Sequence, residues 1–358
     1  MSTELPERVE HDSLENYRRK YPGGDKSDHT YPYLLETLAK TIPNRLAFAQ
    51  GDRRITWKEY DEKVNRLANA LLDLGIKKED RVAIMGFNSI EWWEASDAIF
   101  KIGAILATIN ARQALQETLH VLKDSESVAI ILDDEYIDDV NKIRGELPLL
   151  KHFIVYRRTG KEIPSDMLDY HELESKYPAT KPKLDYKVTN EDICMIYYTG
   201  GTTGVPKGTV WDYENQFGNM KKNPTGSFAA LGARIGNLPR SVYETLGGML
   251  PIPGLGPIVG RLLDSKGVRR LLSADIVGDL AGALVHSLVT TRMSYMFIGG
   301  DWLLRTLCLS QQFHGSGWST PRVLGTYSMG CCVYFITKAH PFDAREALEL
   351  IEERRSIC

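Results

Sequence analysis

Residues 198–208 run Tyr198, Thr199, Gly200, Gly201, Thr202, Thr203, Gly204, Val205, Pro206, Lys207, Gly208. Gly200, Gly201 and Gly204 free the backbone to take positive φ and to aim successive amide N–H groups at one anion. Thr199, Thr202 and Thr203 add hydroxyl donors, and Lys207 adds a mobile ammonium group held between Pro206 and Gly208. Two unit charges ~4 Å apart near a protein surface interact by ~4 kcal/mol, so one lysine matters greatly to a triphosphate. By composition the string is a polyphosphate cradle; the plain alternative is a glycine-rich turn joining two strands. A P-loop of the kinase or GTPase kind is disfavoured, because that pattern puts Ser or Thr after Gly-Lys and opens a helix. Here Gly208 follows Lys207, and Thr209, Val210 and Trp211 read as extended chain.

A second constellation is Phe313, His314, Gly315, Ser316, Gly317, Trp318. Phe313 and Trp318 are large apolar surfaces that suit an acyl or aryl group, and equally a plain core. Ser316 is not a hydrolase nucleophile: the Gly-x-Ser-x-Gly elbow needs glycine where His314 and Trp318 stand. The five cysteines, Cys194, Cys308, Cys331, Cys332 and Cys358, lack metal-ligand spacing and read as reduced, buried thiols of a cytosolic protein. A formal net charge of -3 gives no electrostatic reason to expect nucleic acid or an anionic membrane as partner. The most apolar stretch, 276–309, is broken by Asp279, Arg292, Asp301 and Arg305, so no transmembrane segment is expected. The polar N-terminus is not a secretory signal.

The elements that must hold these residues alternate. Thr56 and Glu59 form a capping-box pattern, after which Tyr60, Val64, Leu67, Leu71 and Leu74 line one helical face that Gly75 ends. Strands are expected at 81–85, 104–109, 128–132, 152–156, 193–198 and 331–336, and helices at 92–102 and 115–123. Asp343 and Glu346 start a final helix whose apolar face is Ala347, Leu350 and Ile351. Residues 164–190 read as a polar surface connection. Strand and helix in turn imply an α/β fold with parallel pairing and helices on both faces. With 358 residues the core is ample.

The string 198–208 closely resembles the phosphate-loop signature of the adenylate-forming superfamily, which includes acyl-CoA synthetases, luciferases and nonribosomal adenylation domains. The likeness extends to residues 55–60, 88–92, 101–104, 108–112 and 122–126, to Trp211, to the segment 313–318, which is similar to the family's "phenylalanine-histidine-glycine" motif, and to 342–346. It implies the family's large N-terminal domain, with parallel sheets flanked by helices. Residues 1–28 are then an arm and 29–358 a partial AMP-binding domain, with an insertion at about 217–299. The later motifs and the small C-terminal lid domain are not matched in this sequence.

By the same resemblance, ATP with Mg2+ activates a fatty, aromatic or alicyclic carboxylic acid, and coenzyme A takes the acyl group. Thr199, Gly200, Gly201, Thr202, Thr203 and Gly204 hold the β- and γ-phosphates, and Lys207 follows the departing pyrophosphate. His314 orients the carboxylate beside Phe313, Gly315 and Trp318 in the acyl pocket. The unmatched later motifs imply a second reading, a remnant that binds nucleotide or acyl groups without turnover, and a third, a truncated product with an exposed sheet edge.

Overall fold

Three runs, Arg81–Met85 (β3), Ile105–Ile109 (β4) and Ala129–Asp133 (β5), are apolar on successive residues rather than alternate ones. That is how a strand covered on both faces reads, and nearly every residue in them is buried. The computed structural model describes residues 30–199, 205–216, 300–309, 311, 313, 326–327, 330–337 and 343–354. These group into two compact units, one containing 30–37, 59–216 and the neighbourhood of Phe313, the other containing 38–58, 300–309 and 326–354. The arm at 1–28 and the insertion at 217–299 lie outside the described residues.

In the first unit β3, β4 and β5 are joined by His152–Tyr156 (β6), Leu168–Asp169 (β7), Ile193–Thr199 (β8) and Lys207–Asp212 (β9). The sheet order is β7-β6-β5-β3-β4-β8-β9, parallel throughout except for the last pair. Helices make the crossovers: Trp57–Asp73 (α2) precedes β3, Ile90–Lys101 (α3) links β3 to β4, Leu115–Asp124 (α4) links β4 to β5, and Ile137–Ile143 (α5) precedes β6. Gly75, at φ 83°, turns the chain out of α2 as its position predicted. The preceding helix Tyr31–Thr41 (α1) sends Tyr31 into the core of this unit, stacked on Phe100 with ring centroids 4.9 Å apart.

All twelve residues of α3 are buried, including Glu91, Glu94, Asp97 and Lys101. Buried charge is tolerable only when paired. The Tyr60 hydroxyl donates to Asp97 at 2.5 Å, the Tyr170 hydroxyl donates to Glu94 at 3.1 Å, and the Lys101 ammonium donates to Asp61 at 2.6 Å. The helix starts two residues before the sequence expectation because Ser89 caps it, accepting from the Trp92 amide at 3.1 Å. The stretch 164–190 is more structured than expected: Asp169 caps a short helix, Tyr170–Ser175 (α6), and its first residue Tyr170 is fully buried. Six residues are too few to show a helical period.

The second unit is built on a sheet of order β10-β11-β1-β2, from Leu46–Gln50 (β1), Arg53–Thr56 (β2), Gly300–Leu307 (β10) and Cys331–Phe335 (β11). β10, β11 and β1 are parallel, and β1 turns back into β2 through Gly51 at φ 55°. Phe48 stacks on Phe335 at 6.0 Å. Asp343 caps Ala344–Arg354 (α7) as expected, accepting from the amides of Arg345 and Glu346 at 3.0 and 3.1 Å. Cys194, Cys308, Cys331 and Cys332 form no disulfide and are buried. No helix among the described residues is long and apolar enough to cross a membrane.

The carboxyl ends of β3, β5 and β6 meet tightly. A Cβ placed on Gly86, just past β3, would sit 1.9 Å from the Tyr156 hydroxyl oxygen and 3.3 Å from the Asp133 Cβ. Asp133 is buried against the Arg158 guanidinium. Burial pushes its carboxyl up to about 6, beyond what the Glu135 amide and Arg158 offset. Its neighbour Asp134 goes the other way. Burial again raises it, but the Asp134 carboxylate accepts from the amides of Arg158, Thr159 and Lys161 and from the Thr159 hydroxyl, and these win, bringing it to about 2.

Gly86→Ala should destabilise the protein by at least the about 1–3 kcal/mol typical of overpacking, measured by urea denaturation. Adding Tyr156→Phe, which removes the blocking oxygen, should recover part of that loss; strictly additive effects would exclude this clash as the cause. Asp134 also generates a pH dependence. Its folded pKa lies below its ordinary value of 3.8, so its contribution is full above about pH 4 and is lost as the pH falls through about 2. Asp134→Asn should therefore cost about 1.5–3 kcal/mol at neutral pH, the range for hydrogen bonds to a charged group. The gap to the wild type should narrow below pH 4; a constant gap would refute the assignment.

Candidate functional site

β8 is locked into the sheet by parallel pairing with β4, through Leu106 with Met195 and Ala107 with Ile196. It therefore ends at the same edge as the carboxyl ends of β3, β5 and β6, the edge where open α/β sheets place their ligands. β9 returns antiparallel, with Tyr198 opposite Gly208 and Thr199 opposite Lys207. The glycine-rich string thus leaves one strand and enters its antiparallel neighbour, and Lys207 opens a strand and not a helix. Thr199 and Lys207 are both exposed and stand on the same rung. A hydroxyl and an ammonium group leave the sheet together at the base of the loop.

The two strands approach closely because Gly208 has no side chain. A Cβ there would lie 2.7 Å from Ile196 Cγ2 and 3.0 Å from Tyr198 Cζ. The loop base is also tied to α4. The Tyr198 hydroxyl donates to Asp124 Oδ2 at 2.7 Å, and His120 Nε2 lies 3.0 Å from the Pro206 carbonyl oxygen. A carbonyl only accepts, so the His120 proton is on Nε2. Burial, and then the Asp124 carboxylate, pushes the Tyr198 phenol far above the usual tyrosine range, so its hydroxyl stays a donor.

At the same edge, Phe313 is buried and packs edge-on against Phe87, centroids 6.4 Å apart. The Asn88 amide donates to Gln311 Oε1 at 3.4 Å. The guanidinium carbons of Arg112 and Arg158 lie 5.7 and 5.8 Å from the Phe87 centroid, which is cation–π distance. Phe87, Arg112 and Arg158 follow the ends of β3, β4 and β6, and Arg158 is held there by the carboxylates of Asp133 and Glu135.

Of the expected site residues, Thr199, Lys207 and Phe313 are described, and the first two are brought together. Gly200, Gly201, Thr202, Thr203, Gly204, His314, Gly315 and Trp318 lie outside the described residues. Sequence reasoning missed Phe87, Arg112, His120, Asp124 and Arg158. For His120 and Asp124 the available signal was their four-residue spacing, which puts them on one face of α4. Among the described residues no group of three or more His, Cys, Asp and Glu could hold a metal ion.

The family model described as "AMP-binding enzyme" matches residues 35–231. A 3-oxocholest-4-en-26-oate–CoA ligase of Rhodococcus rhodochrous is 34% identical over 182 residues, which is 51% of this chain and 33% of that protein. A medium/long-chain-fatty-acid–CoA/3-oxocholest-4-en-26-oate–CoA ligase of Mycobacterium tuberculosis is 33% identical over 190 residues, with the same coverage, 51% and 33%. The matched part thus spans about a third of the length of these curated relatives. The crystal structure of an anthranilate–CoA ligase in complex with anthranoyl-AMP superposes with a TM-score of 0.59 at 21% identity, covering 90% of this chain and 47% of that one, a likeness of fold. The family match takes in α2, the buried parallel strands β3 to β6, α4 and the whole β8–β9 hairpin with Lys207; this chain belongs to the AMP-binding enzymes.

Proposed function

We propose that the chain carries the nucleotide-phosphate site of an AMP-forming carboxylic acid–CoA ligase. A carboxylate oxygen of the acid attacks the α-phosphorus of ATP, and the bond from that phosphorus to the pyrophosphate oxygen breaks. The resulting acyl-adenylate then loses AMP as the thiol of coenzyme A takes the acyl group. The observation that carries this reading is the rung of Thr199 opposite Lys207 at the base of the glycine-rich hairpin.

The first step needs charge neutralisation and in-line positioning more than covalent help from the protein. Thr199 and the amides and hydroxyls of Gly200, Gly201, Thr202, Thr203 and Gly204 hold the β- and γ-phosphates. Lys207 stays with the charge that builds on the leaving pyrophosphate. Mg2+ bound to the nucleotide offsets further phosphate charge. His314 orients the carboxylate, with Phe313, Gly315 and Trp318 against the apolar part of the acid. The names of the relatives, fatty-acid and steroid-acid CoA ligases, favour an acid with a large apolar body, fatty or alicyclic, with aromatic acids in the same class.

The test is hydroxamate formation from ATP, Mg2+, hydroxylamine and a panel of fatty, alicyclic and aromatic acids. Lys207→Gln should lower kcat/KM for ATP about 10- to 100-fold, the range for losing one hydrogen bond to a charged group. The KM for the acid should change little. Folded protein that makes no hydroxamate with any acid, or a Lys207→Gln variant that keeps full ATP efficiency, would defeat the proposal.

A further inference from the structure

His120 and Asp124 lie one turn apart on α4, and each holds one stem of the hairpin. Asp124 accepts from Tyr198, the residue before Thr199; His120 donates to Pro206, the residue before Lys207. Pro206 has no N–H, so its carbonyl is the single backbone hydrogen-bonding group it can offer. Pro206 and Tyr198 are both buried, while Thr199 and Lys207 beyond them are exposed. The clamp thus grips the last covered residue of one stem and the first of the other, and leaves the chemistry-bearing residue of each free to face a ligand. We infer that His120 and Asp124 are positioning residues that hold the loop base open for phosphate by fixing both stems from one helix face.

The physical gain is preorganisation. A loop whose two ends are already fixed loses less conformational freedom when an anion gathers its amides. Both donors are suited to the task across pH: the Tyr198 hydroxyl keeps its proton, and a histidine donating through Nε2 does so whether or not Nδ1 is protonated. This inference rests on the hairpin being the phosphate site, so its test separates the two ideas.

Limited trypsin digestion of the full chain cuts after Lys207, and cuts at the other lysines serve as the internal reference. Local opening controls such cleavage. His120→Ala should speed the Lys207 cut about fivefold, as loss of one ordinary hydrogen bond predicts. It should also raise the Mg-ATP concentration that half-protects this bond by about the same factor. His120→Gln, whose amide nitrogen can stand in for Nε2, should restore both values. Tyr198→Phe, which leaves the ring over Gly208 and removes the donor to Asp124, should act like His120→Ala. Unchanged cleavage or unchanged ATP protection in His120→Ala, or a Gln variant as impaired as Ala, overturns the clamp. Failure of Mg-ATP to protect any protein, wild type included, overturns the phosphate reading itself and the clamp's role with it.

Discussion

The whole carboxyl edge depends on one constraint, that β3, β4 and β5 are buried on both faces. A strand in that position cannot shift register without moving apolar side chains from one layer into the other. The register of β3 with β4 and β5, and of β4 with β8, is therefore fixed by packing. What the edge presents follows from it: Gly86 against Tyr156, Asp133 against Arg158, Phe87 against Phe313, and the hairpin at the end of β8. Most of these groups need no long-range device: Asp133 and Tyr156 end their strands, and Gly86, Phe87 and Arg158 stand one or two residues past theirs. Phe313 is the exception, six residues beyond the end of β10.

The same burial explains why the interior carries so much paired charge. α3 is covered all round, yet it bears Glu91, Glu94, Asp97 and Lys101. Isolated, any of these would be costly to bury; paired, they fix orientation more than they add stability. Tyr60, Asp61, Lys63, Tyr170 and Glu174 surround this helix from α2 and α6. The consequence is directional: α3 fits in one rotation only, and with it Ser89, Asn88 and Phe87 at its entrance.

The parts legible in the sequence are those written in periods and caps. The steps of three and four from Tyr60 to Leu74, the unbroken apolar strands and the Asp343 cap all correspond to elements in place. The extended chain at Thr209–Trp211 was legible too, since Gly208 after Lys207 departs from the P-loop pattern that opens a helix, but its antiparallel direction was not. What escaped was short or non-local. β7 and α6 together span only 168–175, too brief for a period. His120 with Pro206 and Asp124 with Tyr198 are contacts across 86 and 74 residues, and no local pattern marks a side chain for a partner that far away. The eight loop and pocket residues outside the described set rest on the motif alone.

A hairpin tip and a helix N-terminus solve phosphate binding differently. A loop that opens a helix gains roughly half a positive charge from the aligned peptide dipoles. A strand offers almost none, since sheet dipoles nearly cancel. Here the chain enters β9 at Lys207, so on the proposed function positive potential has to come from side chains and from backbone amides that glycine leaves free to turn. That accounts for three threonines and a lysine within residues 199–207, a density of donors that a helix-capped loop does not need. It also accounts for the lysine's position. An ammonium group at the first residue of β9, opposite Thr199, is held by strand pairing at the base of the loop, where the proposed function puts the departing pyrophosphate. Arg112 and Arg158 stand past β4 and β6 beside Phe87, but Asp133 and Glu135 pair with Arg158, so on the proposed function the charge offered to an anion comes first from Lys207 at the loop base.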